Sequence, residues 1–212
     1  MRPERLQKFS KVVSRRQADL SVILENVTDM HNIGAVLRSC DSVGINEIFI
    51  LNTEPHLATD QIIIGKKTSS GARKWVDVHY YTDPTSCFRH VRQKCRLVLS
   101  TSLGENSSDL YNLDLTQSIA FLFGNEHAGL SAEVAKFADG NFTIPQVGMV
   151  ESLNVSVACA VTLYETFRQR KLKGFYDENP TLDEPAENAL LEDYVKRHDL
   201  KLRNKKFVKK KD

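Results

Sequence analysis

The 212-residue sequence has no apolar run approaching the roughly eighteen residues a membrane-spanning helix needs, so such a helix is excluded. Its opening, MRPERLQKFSKVVSRRQADL, is basic, but it carries neither a continuous apolar segment nor a small-residue cleavage site. It does not read as a signal peptide. Cysteine is scarce. Cys40, Cys87, Cys95 and Cys159 form no CxxC pair, and no histidines stand at ligand spacing. This argues against a metal site and for free thiols in a reducing cytoplasm. GxGxxG, GxSxG and Walker patterns are all missing, which leaves dinucleotide oxidoreductases, serine hydrolases and P-loop enzymes without support.

What is present is charge, unevenly spread. The net charge is only +2, yet residues 1–17 hold Arg2, Arg5, Lys8, Lys11, Arg15 and Arg16 against Glu4 alone. Residues 196–212 hold nine Lys/Arg against Asp199 and Asp212. Basic ends on an acidic body suggest contact with a polyanion through the ends, a solvated lysine tail being the plainer alternative. The length suits one core with appended helices.

Periodicity predicts alternating elements. A helix is expected over 3–18, with Leu6, Phe9, Val12 and Val13 at helical spacing. SVILE (21–25) reads as a buried strand. A helix from Asn32 to Val43 follows, with Ile33, Val36, Leu37, Cys40 and Val43 on one face and Gly44 at its end. Strands are expected over 47–51, 75–81, 96–101, 118–123 and 141–144. Helices are expected over 84–94, 131–138, 152–171 and 186–198. Residues 102–117 and 174–185 read as connectors. The alternation predicts an α/β fold, an open, mainly parallel sheet with helices on both faces. In such sheets ligands bind beyond the carboxyl ends of strands, where Thr101–Leu103, Gly124–Ala128 and Pro145–Asn154 should converge.

Three segments carry chemistry. In HNIGAVLRSCDSVG, Asn32 stands where a helix N-cap is expected, and Arg38 lies roughly opposite the apolar stripe, where its fork suits a phosphate. In FLFGNEHAGLS, Gly124 would let a ligand approach the backbone, and Glu126 precedes a helix N-terminus. In IPQVGMVESLNVSVACAVTLYE, a strand ends at Pro145, a flexible loop follows, and Ser152 is the expected cap with Asn154 inside the first turn.

Together and in this order, the motifs N-x5-R (Asn32, Arg38), FGNE-x-x-G (Phe123–Glu126, Gly129) and IP-x-x-GMV-x-SLNVSVA (Ile144–Ala158) resemble the SpoU branch of the SPOUT methyltransferases. The likeness covers roughly residues 20–172. The flanking RRQADLSVILENV and RQRKLKGFY are similar to the tRNA guanosine-18 ribose methyltransferases.

The resemblance implies a C-terminal trefoil knot, extra terminal helices (1–19 and 173–212) and a homodimer. It further implies S-adenosylmethionine as methyl donor, a ribose 2′-hydroxyl of tRNA as acceptor and no metal. Thr101, Gly124, Ile144, Met149 and Leu153 would then line the cofactor. Arg38 would act at the hydroxyl, as base or by orienting it, with Asn32, Glu126, Ser152 and Asn154 holding the substrate. A guanidinium is a poor base at neutral pH, so orientation or alkoxide stabilisation is the easier role. Arg15, Arg16, Arg168, Arg170, Lys171 and Lys173 are the candidates for RNA phosphates. A ribosomal-RNA or anticodon ribose methyltransferase, a non-catalytic RNA-binding protein and a nucleotide-dependent oxidoreductase are the alternatives.

Overall fold

The backbone alternates strand and helix from α1 (Pro3–Val13) onward: β1 (Leu20–Glu25), α2 (Met30–Ser42), β2 (Glu47–Leu51), β3 (Gln61–Gly65) and α3 (Lys66–Ser69). There follow β4 (Asp77–Tyr81), α4 (Pro84–Val91), β5 (Leu97–Thr101), β6 (Ser108–Asp109), β7 (Ile119–Phe123), α5 (Ala132–Ala135) and β8 (Gly140–Thr143). The chain closes with α6 (Val155–Leu172), α7 (Glu184–Asp199) and β9 (Lys205–Lys209). These come from a computed structural model that describes residues 1–101, 107–177, 180–200 and 205–212; Leu103, expected at the site, lies outside them.

Seven strands form one parallel sheet in the order β4-β2-β1-β7-β5-β8-β6. The central strands are buried on both faces, which is why SVILE, EIFIL and IAFLF read as unbroken apolar runs. One face packs Val22, Leu24, Ile48 and Phe121 against Val36, Leu37 and Cys40 of α2 and Cys159 and Leu163 of α6. The other packs Ile23, Phe49 and Leu122 against Cys87, Phe88 and Val91 of α4 and Val134 of α5. Each such side chain contributes about 1.5–3 kcal/mol by leaving water. A separate small cluster joins α1 and α7 through Phe9, Val13 and Tyr194, with Trp75 against it.

Several expectations need correction. α1 stops at Val13 instead of 18, because Arg16 and Gln17 turn away to bond the end of α2: the Gln17 amide donates to the Gly44 carbonyl. Gly44 has φ +92°, and a Cβ there would lie 2.6 Å from the Arg15 carbonyl oxygen, so only glycine fits. Asp29, not Asn32, caps α2, accepting the His31 amide at 2.7 Å. Asn154, not Ser152, caps α6, accepting the Ser156 amide at 2.9 Å. The segment read as loop contains β6 and a 3-10 turn at Leu110–Asn112.

The basic tail is not simply solvated. β9 pairs antiparallel with β3, which sequence reading also missed, and the Lys211 amide then donates to the Tyr80 carbonyl at the edge of the main sheet. The Asp212 carboxylate accepts the amides of Thr82 and Asp83 at the start of α4.

Candidate active site

The strand-end segments converge as the topology requires. Beyond the carboxyl ends of β5, β7 and β8 lies a cleft of about 680 Å³, a volume suited to a cofactor-sized ligand. Thr101, Gly124, Glu126, Ile144, Ser152 and Leu153 line it. Its lining is mixed: backbone at the strand ends, apolar side chains such as Leu130, Phe142 and Leu153, and the polar side chains of Asn141 and Glu126. Such a surface fits S-adenosylmethionine, which presents a flat purine, a ribose and a charged amino-acid end.

Local bonding explains the shape of the middle loop. Asn125 and Gly129 exchange backbone hydrogen bonds at 3.0 and 2.9 Å, folding residues 125–129 back on themselves. The Asn125 side chain donates to the Asn26 carbonyl and accepts the amides of His127 and Ala128. A Cβ on Gly124 would lie 2.3 Å from the Gly129 carbonyl carbon. Gly124 is therefore small to let its own loop close, and it also lines the cleft. Behind the loop, the fully buried Glu25 carboxylate accepts the Ser131 amide at 2.9 Å and hydroxyl at 2.5 Å, anchoring the cap of α5.

Three residues from the three motifs form a chain at this site. The Asn154 side-chain amide donates to Asn32 Oδ1 at 3.1 Å, and Asn32 Nδ2 donates to Glu126 Oε1 at 2.5 Å. Asn32 thus has a partner on each side, and the first turn of α2 is tied to the loop after β7 and the start of α6. Arg38 stands apart. It is exposed, does not line the cleft, and has no hydrogen-bond or ion-pair partner among the described residues. One turn further along α2, the Ser42 hydroxyl meets the Tyr164 hydroxyl of α6 at 3.3 Å. Met149 also stands apart, fully exposed on its loop and outside the cleft.

The RNA-contact candidates divide. Arg16 is 1% exposed and Arg170 0%, so neither can reach a phosphate. Arg16 donates to the Tyr194 hydroxyl, the Ile45 carbonyl and Asp41. Arg170 donates to Asp19, Gln17 and the carbonyls of Leu115 and Gln117. Both are structural clamps. Arg15 is exposed and paired with Asp177 at 2.7 Å, and Arg168 is exposed and paired with Glu165. Lys171 and Lys173 are exposed.

Sequence spacing also hid a titratable cluster. Ligand atoms of Glu47, His79 and His90 lie within 4.8 Å of one another, brought together by β2, β4 and α4. Each already has a protein partner: Lys94 and His79 on Glu47, Tyr81 on His90 and Lys211 on His79. Burial alone would raise the Glu47 carboxyl, but hydrogen bonds from His79 and Lys94 hold it at about 2. The four cysteines are free and buried, and burial raises the thiols of Cys40, Cys87 and Cys95, that of Cys95 to about 12.

Comparison with known proteins places the chain in a family. Residues 19–164 match the SpoU rRNA Methylase family, and the chain belongs to that family. The tRNA (guanosine(18)-2′-O)-methyltransferase of Thermus thermophilus is 40% identical over 193 residues, covering 91% of this chain and 96% of that protein. The enzyme of the same description from Escherichia coli is 34% identical over 192 residues, covering 90% and 82%. The crystal structure of the A. aeolicus TrmH/SpoU tRNA modifying enzyme superposes with a TM-score of 0.81 at 32% identity, covering 93% of this chain and 98% of that one. The Streptomyces viridochromogenes SpoU methyltransferase AviRb, in complex with AdoMet, gives 0.63 at 27%, covering 74% and 62%. No helix among the described residues is long and apolar enough to cross a membrane.

Proposed function

We propose that the chain transfers a methyl group from S-adenosylmethionine to the ribose 2′-hydroxyl of guanosine 18 in tRNA. The observation that carries this reading is the Asn154–Asn32–Glu126 chain at the rim of a cofactor-sized cleft, in a chain alike over nine-tenths of its length to enzymes of that description.

When bound, the donor supplies an already activated methyl group. The protein's task is to align and deprotonate a weak nucleophile, and alignment alone can be worth about 7–11 kcal/mol. Thr101, Gly124, Ile144 and Leu153 hold the donor at the strand ends. Glu126, fixed by Asn32, and Asn154 and Ser152 set the rim where the ribose sits. Arg38 orients the hydroxyl and its neighbouring phosphate and stabilises the developing alkoxide. Met149 belongs to this set only if its loop closes over the donor.

Arg38 does not line its own chain's cleft, so the reading places it at the cleft of a second copy. In support, Val157 and Tyr164 of α6 are exposed, half-exposed Val161 stands between them, and Arg38 flanks this stripe. A homodimer built on α6 covers the stripe and completes two sites. The C-terminal trefoil knot belongs to the same reading. In its support, α6 runs beneath the 107–118 segment, with Gln169 bonded to the Leu113 carbonyl and the Leu115 amide. Residues 20–172 form the catalytic unit, and 1–19 and 173–212 its extensions. Arg15, Arg168, Lys171 and Lys173 remain for RNA phosphates. A cytoplasmic location belongs to the same reading, and the free cysteines and a tRNA substrate support it.

The test is transfer of labelled methyl to an unmodified tRNA transcript, mapped by nuclease digestion and mass spectrometry. The expected product is 2′-O-methylguanosine in the D-loop, lost at least a hundredfold in Arg38→Ala. Transfer to ribosomal RNA instead would move the substrate, and failure to bind the donor would overturn the enzyme reading.

A further inference from the structure

The two-stranded ribbon of β3 and β9 has two unlike faces. Residues alternate along each strand, so Ile64 and Val208 point inward and are buried. Lys206 also turns in and donates to the Arg73 and Val76 carbonyls at 3.1 and 3.3 Å. Outward, Ile63 and Phe207 stand directly opposite each other in the register, 39% and 51% exposed. Lys209, two residues beyond Phe207 on the same face, is exposed and has no ion-pair or hydrogen-bond partner through its side chain among the described residues. An aromatic ring on an aliphatic platform with a lysine beside it offers a stacking surface and a phosphate contact. The ribbon is basic in sequence, residues 205–212 carrying five lysines against Asp212, of which Lys206 turns inward, Lys210 pairs with Asp212 and Lys211 bonds His79, while Lys209 stays on the outer face.

Position links this face to the candidate site. β3 runs straight into α3, and α3 packs on α2 at Gly34, where a Cβ would lie 2.6 Å from Thr68. Arg38 is the next residue along that face of α2, one turn on. Arg38, α3 and the ribbon are thus linked through the packing of α2 on α3 and of both on β3.

We infer that the outer face of the β3–β9 ribbon is an RNA platform, on which Phe207 stacks an unpaired base flanking the target nucleotide and Lys209 takes a phosphate. This rests on the tRNA reading and adds a base-contacting element to it. Stacking and phosphate contact leave different signatures. Stacking is sequence-tolerant and strong, whereas a lost phosphate contact flattens the salt dependence.

Binding of unmodified tRNA to the full chain would be measured across a salt series for wild type, Phe207→Ala, Phe207→Leu, Phe207→Trp and Lys209→Gln, with urea midpoints as a fold control. We expect Phe207→Ala to weaken binding about tenfold with the salt slope unchanged and Phe207→Trp to bind as wild type. Phe207→Leu, which preserves the apolar ribbon, should remain weak. Lys209→Gln should lower the slope by about one. Methylation at saturating tRNA should be unchanged in all four. Wild-type affinity in Phe207→Ala, equal affinity in Phe207→Leu and Phe207→Trp, or a shifted monomer–dimer equilibrium in place of weaker RNA binding would each overturn the platform and leave the methyltransferase reading standing. A wild-type chain that binds no tRNA would overturn both.

Discussion

Glu47 opens β2 with its carboxylate between Lys94, at 2.5 Å, and His79, at 2.9 Å. Those partners hold it at about 2 against an ordinary 4.5, so the unfolded chain takes up a proton at a higher pH than the folded one. Its stabilisation is therefore complete above about pH 5 and is lost as the pH falls toward 2. Glu47→Gln should lose about 3 kcal/mol at pH 7 and distinctly less at pH 3, read from urea midpoints at both values. An equal loss at both would show that packing, not charge, is involved. Individual arginines were less legible in the sequence than this acid's setting is in the fold. Arg16, Arg38 and Arg170 look alike in a sequence, since nothing local distinguishes a guanidinium ringed by carbonyls from one held ready in solvent. The partners of Arg170 come from Gln17, Asp19 and residues 115–117, and only the folded chain brings these together.

At the scale of elements, the buried strands and the faces of α2 and α6 were legible, because parallel strands covered on both sides leave a continuous apolar signature. Helix ends were not. Asp29 and Asn32 are both favoured cap residues, as are Ser152 and Asn154, and backbone geometry decides between them. Freed from capping, Asn32 can bond Glu126 and Asn154. Asp29→Ala should therefore cost about 1 kcal/mol in a urea titration, as loss of an N-cap does. An unchanged midpoint would return the cap to Asn32. β3 and β9 escaped notice for a different reason. QIIIG is short, and its partner KKFVK reads as a charged tail until the two are paired.

Considered whole, the molecule leaves α6 apolar on two sides. Cys159 and Leu163 face the core, while Val157 and Tyr164 face outward. A lone solvated helix has little reason to carry both. If the outer stripe joins two copies, Val157→Glu should convert the protein to monomers by sedimentation equilibrium. Donor binding should persist while methyl transfer falls at least a hundredfold, because each cleft would lose its partner's Arg38. A monomeric wild type would remove that explanation of where Arg38 acts.

The pairing of β3 with β9 also constrains how the chain is made. Gly65 leaves the ribosome long before Lys205, and in the interval three consecutive isoleucines, Ile62–Ile64, lie along an edge that nothing covers. Such an edge invites pairing with any neighbouring strand. Chains cut short before residue 205 would keep it open permanently. Such truncated chains should therefore clump or be degraded while chains that carry β9 stay dispersed.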